Sequence, residues 1–141
     1  MYTAPNATPQ SFVKSQHNQI KVSDQIWFPV SGWIAQPEFV PYNCSKAAII
    51  ALTRCCALDF ASDKIRVNCV APSTVDTPGS YAHMKMINLT VKEGQEKFGN
   101  NTFLKRQAAP DEIGTASVFL ASDDASYVTG EVLVVGGGQT V

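Results

Sequence analysis

The stretch at residues 41–61 reads PYNCSKAAIIALTRCCALDFA. Its apolar residues are spread around most of the circumference of a helix, so we predict a long helix that must be covered on two sides. The next stretch, IRVNCVAP at residues 65–72, predicts a buried strand that is rich in β-branched residues and ends at Pro72. A helix followed directly by a buried strand predicts a layered α/β fold.

Two chemically useful side chains, Tyr42 and Lys46, lie in the first turns of this helix. Residues four apart are neighbours on one helix face. An ammonium beside a phenol stabilises the phenolate and lowers the pKa of the tyrosine, so that Tyr42 can exchange a proton with an alcohol or carbonyl oxygen. The spacing alone does not decide the question, because Tyr81 and Lys85 repeat it.

Turn-forming residues punctuate the chain beyond Pro72. Prolines, glycines and asparagines interrupt residues 73–109, which we predict to be an irregular, mobile flap with one short amphipathic stretch. Pro110, followed by two acidic residues, predicts a helix that runs to about residue 121. The apolar run EVLVVGGG at residues 131–138 predicts a last strand.

Length and charge restrict the class of protein. With 141 residues, 45% of them hydrophobic, the chain can form one globular domain. A net charge of -1 gives no basic patch for nucleic acid. No apolar run is long enough to cross a membrane and no signal pattern is visible, so we predict a cytoplasmic protein without a membrane partner. Residues 1–30 are polar, with a possible strand at 20–28, and are predicted to be disordered or unrelated to a domain at residues 31–141.

The cysteines and histidines predict no metal site. The four cysteines lack the paired spacing of zinc ligands, so we interpret them as small buried hydrophobic residues in a reducing compartment. Neither histidine has clustered partners at ligand spacing.

Three signals in order resemble the short-chain dehydrogenase/reductase family. The sequence YNCSK at 42–46 is similar to its Tyr-x-x-Ser-Lys motif, NCVAPSTVDTP at 68–78 to its strand and following loop, and YVTGEVLVVGGG at 127–138 to its terminal motif. The resemblance implies part of a Rossmann-like, doubly wound parallel sheet, incomplete because only its C-terminal strands and helices are matched. It also implies NAD or NADP as cofactor and hydride exchange with a small alcohol or carbonyl substrate.

The same resemblance assigns roles to individual residues. Tyr42 is expected to be the general acid and base, and Lys46 to bind the nicotinamide ribose and lower the pKa of the tyrosine. Four residues are expected to lie along the nicotinamide and its phosphate: Pro72, Ser73, Val75 and Thr77. Two positions depart from the pattern, because Ser73 replaces a glycine and Gly136 replaces an aspartate.

Other parts of the family pattern have no match here. No glycine precedes Gly32, so we expect the turn that binds the pyrophosphate, and with it the adenosine half of the site, to be absent from these residues. The position of the family's catalytic serine falls on Pro29, and Ser31 is the nearest candidate on the same face of an extended segment. We therefore expect a truncated chain that is weakly active or inactive alone.

Two functions stay open on the sequence. One is an NAD(P)-dependent oxidoreductase that acts on an alcohol or carbonyl. The other is a non-catalytic module that uses the apolar helix beginning near Pro41 to oligomerise or to join a full-length relative, since an uncovered apolar helix favours association.

Overall fold

The computed structural model describes residues 30–141. The predicted polar segment, apart from its last residue, and the possible strand at 20–28 lie outside the described residues. The regular elements, in chain order, are α1 (Val40–Asp59), β1 (Cys69–Pro72), α2 (Pro78–Met86), α3 (Val91–Asn100), α4 (Pro110–Ala121) and β2 (Val132–Val135). Short 3-10 helices occur at Val30–Gly32, Ala61–Asp63 and Asp123–Ala125.

Strands β1 and β2 are parallel neighbours. Their register pairs Cys69 with Val132 at one end and Pro72 with Val135 at the other. Because three helices lie between the two strands in sequence, the connection is a crossover of the kind that α/β folds use. Ile49 and Ile50 of α1 pack against the buried strand β1, which confirms the predicted α/β layer.

Helix α1 runs antiparallel to β1. Its C-terminal half lies near the start of the strand, where Ala57 is next to Gly130 and Gly130 N–H donates to the Val67 carbonyl. Ile49 and Ile50, earlier in the helix, contact the strand itself. The first turns of α1 therefore lie at the carboxyl end of β1, which is where ligands bind in open parallel sheets.

Strand β1 is shorter than the sequence predicts. Residues 65–68 are outside the strand, and their hydrogen bonds go to a loop and a helix end rather than to a neighbouring strand. The Arg66 guanidinium donates to the carbonyls of Leu120, Ser122 and Val128 at 2.7, 3.0 and 3.3 Å. This contact satisfies carbonyls at the end of α4 that no helical turn can reach.

The prediction of an irregular flap is wrong, because residues 78–100 form α2 and α3. Both helices begin with a reciprocal capping box, Thr77 with Ser80 in α2 and Thr90 with Glu93 in α3. Each box satisfies two backbone N–H groups that a helix start would otherwise leave unpaired. Met84 of α2 is fully buried, and an added Cβ at Gly94 of α3 would collide with its side chain. The two helices are thus packed together closely.

The outer face of α1 is uncovered in the part of the chain that the structure describes. Leu52 is 53% exposed and Leu58 79% exposed, and the thiols of Cys44 and Cys55 are exposed as well. The interpretation of all four cysteines as buried is therefore wrong, and among them only Cys69 is buried. As predicted, the helix has apolar residues on all sides. The rest of residues 30–141 covers only one of those sides.

Candidate active site at the carboxyl end of strand β1

Tyr42 and Lys46 share one face of the first turns of α1. The Lys46 Nζ atom lies over the Tyr42 ring, 5.3 Å from its centroid. Pro41 stands in the first turn of the helix, where its missing N–H costs nothing. The phenol is 40% exposed, so a ligand can reach it.

Burial raises the pKa of the Tyr42 phenol. The expectation that Lys46 lowers this pKa is not met in this geometry. The ammonium lies over the ring, where it makes a cation–π contact, and burial is the effect that governs the phenol. Tyr42 is accordingly protonated at neutral pH and has a proton to donate.

The loop that follows β1, residues 73–77, is held on two sides by backbone hydrogen bonds; we call it the tip loop. Ser73 N–H donates to the Val135 carbonyl at 3.3 Å, which continues the pairing with β2. On the other side, Ala108 N–H donates to the Thr74 carbonyl at 3.0 Å and Asp76 N–H donates to the Ala108 carbonyl at 2.9 Å. A loop held in this way is preorganised rather than mobile.

The four residues predicted to line a nicotinamide belong to this rigid unit or adjoin it. Pro72 ends the strand, Ser73 follows it, Val75 is buried, and Thr77 caps α2 through its hydroxyl. The structure thus brings these residues to the same end of β1 as the first turns of α1. Their contact with a cofactor stays a prediction.

Gln107 is a site residue that the sequence did not indicate. It is buried, and its Nε2 atom donates to the Thr74 hydroxyl at 2.6 Å and to the Val75 carbonyl at 3.4 Å. Its Oε1 atom is buried without a hydrogen-bond partner. Glutamine in a polar stretch such as KRQAAP normally indicates an exposed loop, so no signal in the sequence could have found it.

Ser31 is buried close to the same end of the sheet. Its hydroxyl donates to the Gln36 Oε1 atom at 2.8 Å. Its neighbour Val30 lies near Gly136, where an added Cβ would be 3.6 Å from Val30 and 3.7 Å from Ser73. The hydroxyl proton is therefore committed to Gln36 here, and the catalytic role of Ser31 stays a prediction.

The remaining polar contacts join the tip loop to the two helices after it. Gln95 of α3 donates to the Asp76 carboxylate at 3.2 Å, and the Tyr81 phenol is hydrogen bonded to the same carboxylate, which raises the pKa of Tyr81. Tyr81, the phenol of the second Tyr/Lys pair, therefore contacts the tip loop through Asp76 and does not lie beside Lys46. No group of metal-ligating side chains occurs within residues 30–141, and no helix there is long and apolar enough to cross a membrane.

A family model described as enoyl-(acyl carrier protein) reductase matches residues 30–140. Dehydrogenase/reductase SDR family member 4 of Homo sapiens is 38% identical over 109 residues, which are 77% of this chain and 37% of the relative. Short-chain dehydrogenase fogB of Aspergillus ruber is 44% identical over 114 residues, 77% of this chain and 38% of the relative. The chain belongs to the short-chain dehydrogenase/reductase family.

Solved structures of this family confirm the fold. A short-chain dehydrogenase family protein from Francisella tularensis matches with a TM-score of 0.73 and 34% identity, over 81% of this chain and 49% of that one. Aldohexose dehydrogenase of Thermoplasma acidophilum matches with a TM-score of 0.73 and 33% identity, over 80% and 46%. The described residues are thus part of a Rossmann-like sheet, and the chain spans less than half the length of the relatives that it matches.

The residues present fit the nicotinamide end of the family's cofactor. A half-exposed phenol and an ammonium lie at the carboxyl end of a parallel strand, beside a loop whose backbone is already fixed. Lys46 has the donors that ribose hydroxyls need. The glycines at 136–138 follow β2 directly and lead into a turn at residues 137–140.

Proposed function

We propose that this short-chain dehydrogenase/reductase takes part in NAD(P)-dependent interconversion of an alcohol and a carbonyl compound. The observation that carries the proposal is the position of the Lys46 ammonium over the Tyr42 ring at the carboxyl end of β1. The solved structure of the angucycline C-6 ketoreductase LanV, with bound NADP, supports the choice of cofactor, with a TM-score of 0.70 and 29% identity.

In this proposal Tyr42 moves the proton and Lys46 positions the partners. A nicotinamide, when bound, supplies the hydride that reaches the carbonyl carbon. The protonated phenol of Tyr42 donates its proton to the carbonyl oxygen, and the Lys46 ammonium is placed to bind the nicotinamide ribose. Burial raises the pKa of Tyr42 above its ordinary value, so the phenol holds its proton at neutral pH.

The tip loop supplies the surface for the nicotinamide. Pro72, Ser73, Val75 and Thr77 are proposed to lie along it, and Gln107 to hold the loop from behind through Thr74. We propose that the Ser31 hydroxyl donates to the substrate oxygen only after it gives up its hydrogen bond to Gln36. Residues 31–141 would then form the C-terminal part of a dinucleotide-binding domain, with residues 1–30 as a separate polar segment.

A partner for the outer face of α1 belongs to the same proposal. Leu52 and Leu58 are exposed on a regular helix, and burial of such side chains is favourable by about 25 cal/mol per Å². We propose that a second copy or a full-length relative covers this face. The same exposure supports the alternative of a non-catalytic oligomerisation module. The four free thiols fit a reducing compartment, and a cytoplasmic location is proposed.

Turnover of NADH and NADPH with a panel of ketones tests the enzymatic function. Tyr42→Phe removes the proton donor and should lower the rate by at least about 100-fold, the usual contribution of a general acid. Tyr127→Phe is the matched control, because Tyr127 is fully exposed and lies outside the site, and it should retain most of the rate. Equal rates for native protein and Tyr42→Phe would contradict the proposal and leave the oligomerisation module.

A further inference from the structure

Three aromatic rings from three separate segments form a continuous surface beside Tyr42; we call it the aromatic wall. Phe39 precedes α1, His83 lies in α2 and Phe98 lies in α3. The Phe39 ring meets Tyr42 edge-on with centroids 5.9 Å apart, and meets His83 edge-on at 6.0 Å. His83 in turn stacks on Phe98 with centroids 5.9 Å apart and planes 28° from parallel.

We propose that the aromatic wall selects the substrate, and that the carbonyl compound reduced beside Tyr42 carries a flat aromatic ring. The inference rests on the proposed function, because it names the substrate class for the same site. Aromatic pairs prefer offset stacked or edge-on contacts at 4.5–7 Å, and the wall already shows both geometries. A further flat ring would extend it in the same way.

The rings of the wall are not simply core packing. Phe39, His83 and Phe98 are each only partly buried, whereas the core residue Met84 between α2 and α3 is completely buried. The wall therefore has ring surface left over for a ligand. Because Tyr42 contacts it directly and is itself 40% exposed, a molecule on this surface is close to the phenol.

The wall is also held rigidly, which a selective surface requires. The close packing of Met84 against Gly94 fixes α2 on α3, and the capping boxes fix where each helix begins. A saturated ring has no flat π surface with which to extend this stack. An aromatic ketone has one, so the wall favours the aromatic class.

Two ketones with the same fused-ring skeleton test the inference. Ligand-detected NMR titrations of the native chain with 1-tetralone, which has an aromatic ring, and with 1-decalone, which is saturated, should give tighter binding of 1-tetralone by about two- to tenfold, the value of one aromatic pair. Phe98→Leu should remove most of this preference, and His83→Phe should keep it. Phe103→Leu is the matched control, because Phe103 is 68% exposed and stands outside the wall.

Equal affinity for the two ketones in the native chain would overturn the inference, as would a preference that survives in folded Phe98→Leu. If Phe98→Leu does not fold, the native protein still decides: nuclear Overhauser effects between the aromatic protons of 1-tetralone and the His83 ring are expected, and their absence overturns the inference. Tyr42→Phe should lower turnover by at least about 100-fold but keep the preference for 1-tetralone, so failure of the wall and failure of the proposed function are distinguishable.

Discussion

The tip loop and the outer face of α1 differ in a way that their secondary structure conceals. The loop has no regular structure, yet β2, Ala108 and Gln107 all hold it in place. The helix is regular over 20 residues, yet Leu52 and Leu58 are exposed. Anchoring therefore follows hydrogen bonds and packing rather than regularity. The proposed chemistry lies where the chain supplies its own contacts, and the proposed association lies where it does not.

Substitution of Gly94 should have the largest effect on stability, because it disrupts the packing of α2 on α3. In Gly94→Leu the added side chain would collide with the Cγ and Sδ atoms of buried Met84, so the free energy of unfolding should fall by about 1–3 kcal/mol. Gly114 is the control, because an added Cβ there meets nothing within 4 Å. Gly114→Ala in α4 should instead gain about 0.5–1 kcal/mol. Urea unfolding measures both, and equal changes would refute the packing of α2 on α3.

The contact between Gln107 and Thr74 should account for about 1 kcal/mol of the loop's anchoring. Gln107→Leu and Thr74→Val each remove one partner of the same hydrogen bond. A double-mutant cycle on the free energy of unfolding should therefore show that the second substitution costs little once the first is made. Additive losses would mean that Gln107 does not hold the tip loop through Thr74.

Substitution on the outer face of α1 should change self-association rather than the free energy of unfolding. Leu58→Asp places a charge on a side chain that is 79% exposed, so the free energy of unfolding of the monomer should change by less than about 0.5 kcal/mol, while self-association should be lost. Sedimentation velocity measures the association. Val118→Asp, at a 69% exposed position on α4, is the control that should still associate. A native chain that remains monomeric at all concentrations would remove the proposed partner copy.

The smallest effect is expected at the start of α4. The Arg106 guanidinium and the Ala109 N–H lower the pKa of Glu112 from 4.5 to about 2. Since the unfolded chain binds the proton more readily, the stabilisation is present above pH 4.5 and is lost as the pH falls towards 2. The melting temperature of native protein should exceed that of Glu112→Gln at pH 6 and converge with it near pH 2. A constant difference would contradict the assignment.

The sequence predicted those features that depend on neighbours along the chain. Tyr42 and Lys46 share a helix face because of their spacing, and Pro110 with its acidic neighbours located the start of α4. Helices α2 and α3 were missed because glycines, asparagines and a proline interrupt residues 73–109, although the capping box of Thr90 and Glu93 follows the readable Thr-x-x-Glu pattern.

Other features depend on contacts that no local pattern encodes. Gln107 contacts Thr74 across 33 positions, and Arg66 contacts Leu120 across 54. The direction of the Tyr42 pKa was predicted wrongly because the spacing reveals the neighbouring charge but not the burial, which depends on the whole fold and raises the pKa. Cys44 and Cys55 are exposed because the rest of residues 30–141 leaves the outer face of α1 uncovered.

The central claim is that Tyr42 and the tip loop meet a nicotinamide. Carbon-13 labelling of the ring Cζ atom gives one NMR signal for each of the four tyrosines. On titration with reduced nicotinamide mononucleotide, we expect a shift of the Tyr42 signal, unchanged signals for Tyr81 and Tyr127, and no response of Tyr42 to adenosine monophosphate. A Tyr42 signal that stays in place throughout the nicotinamide titration would contradict it.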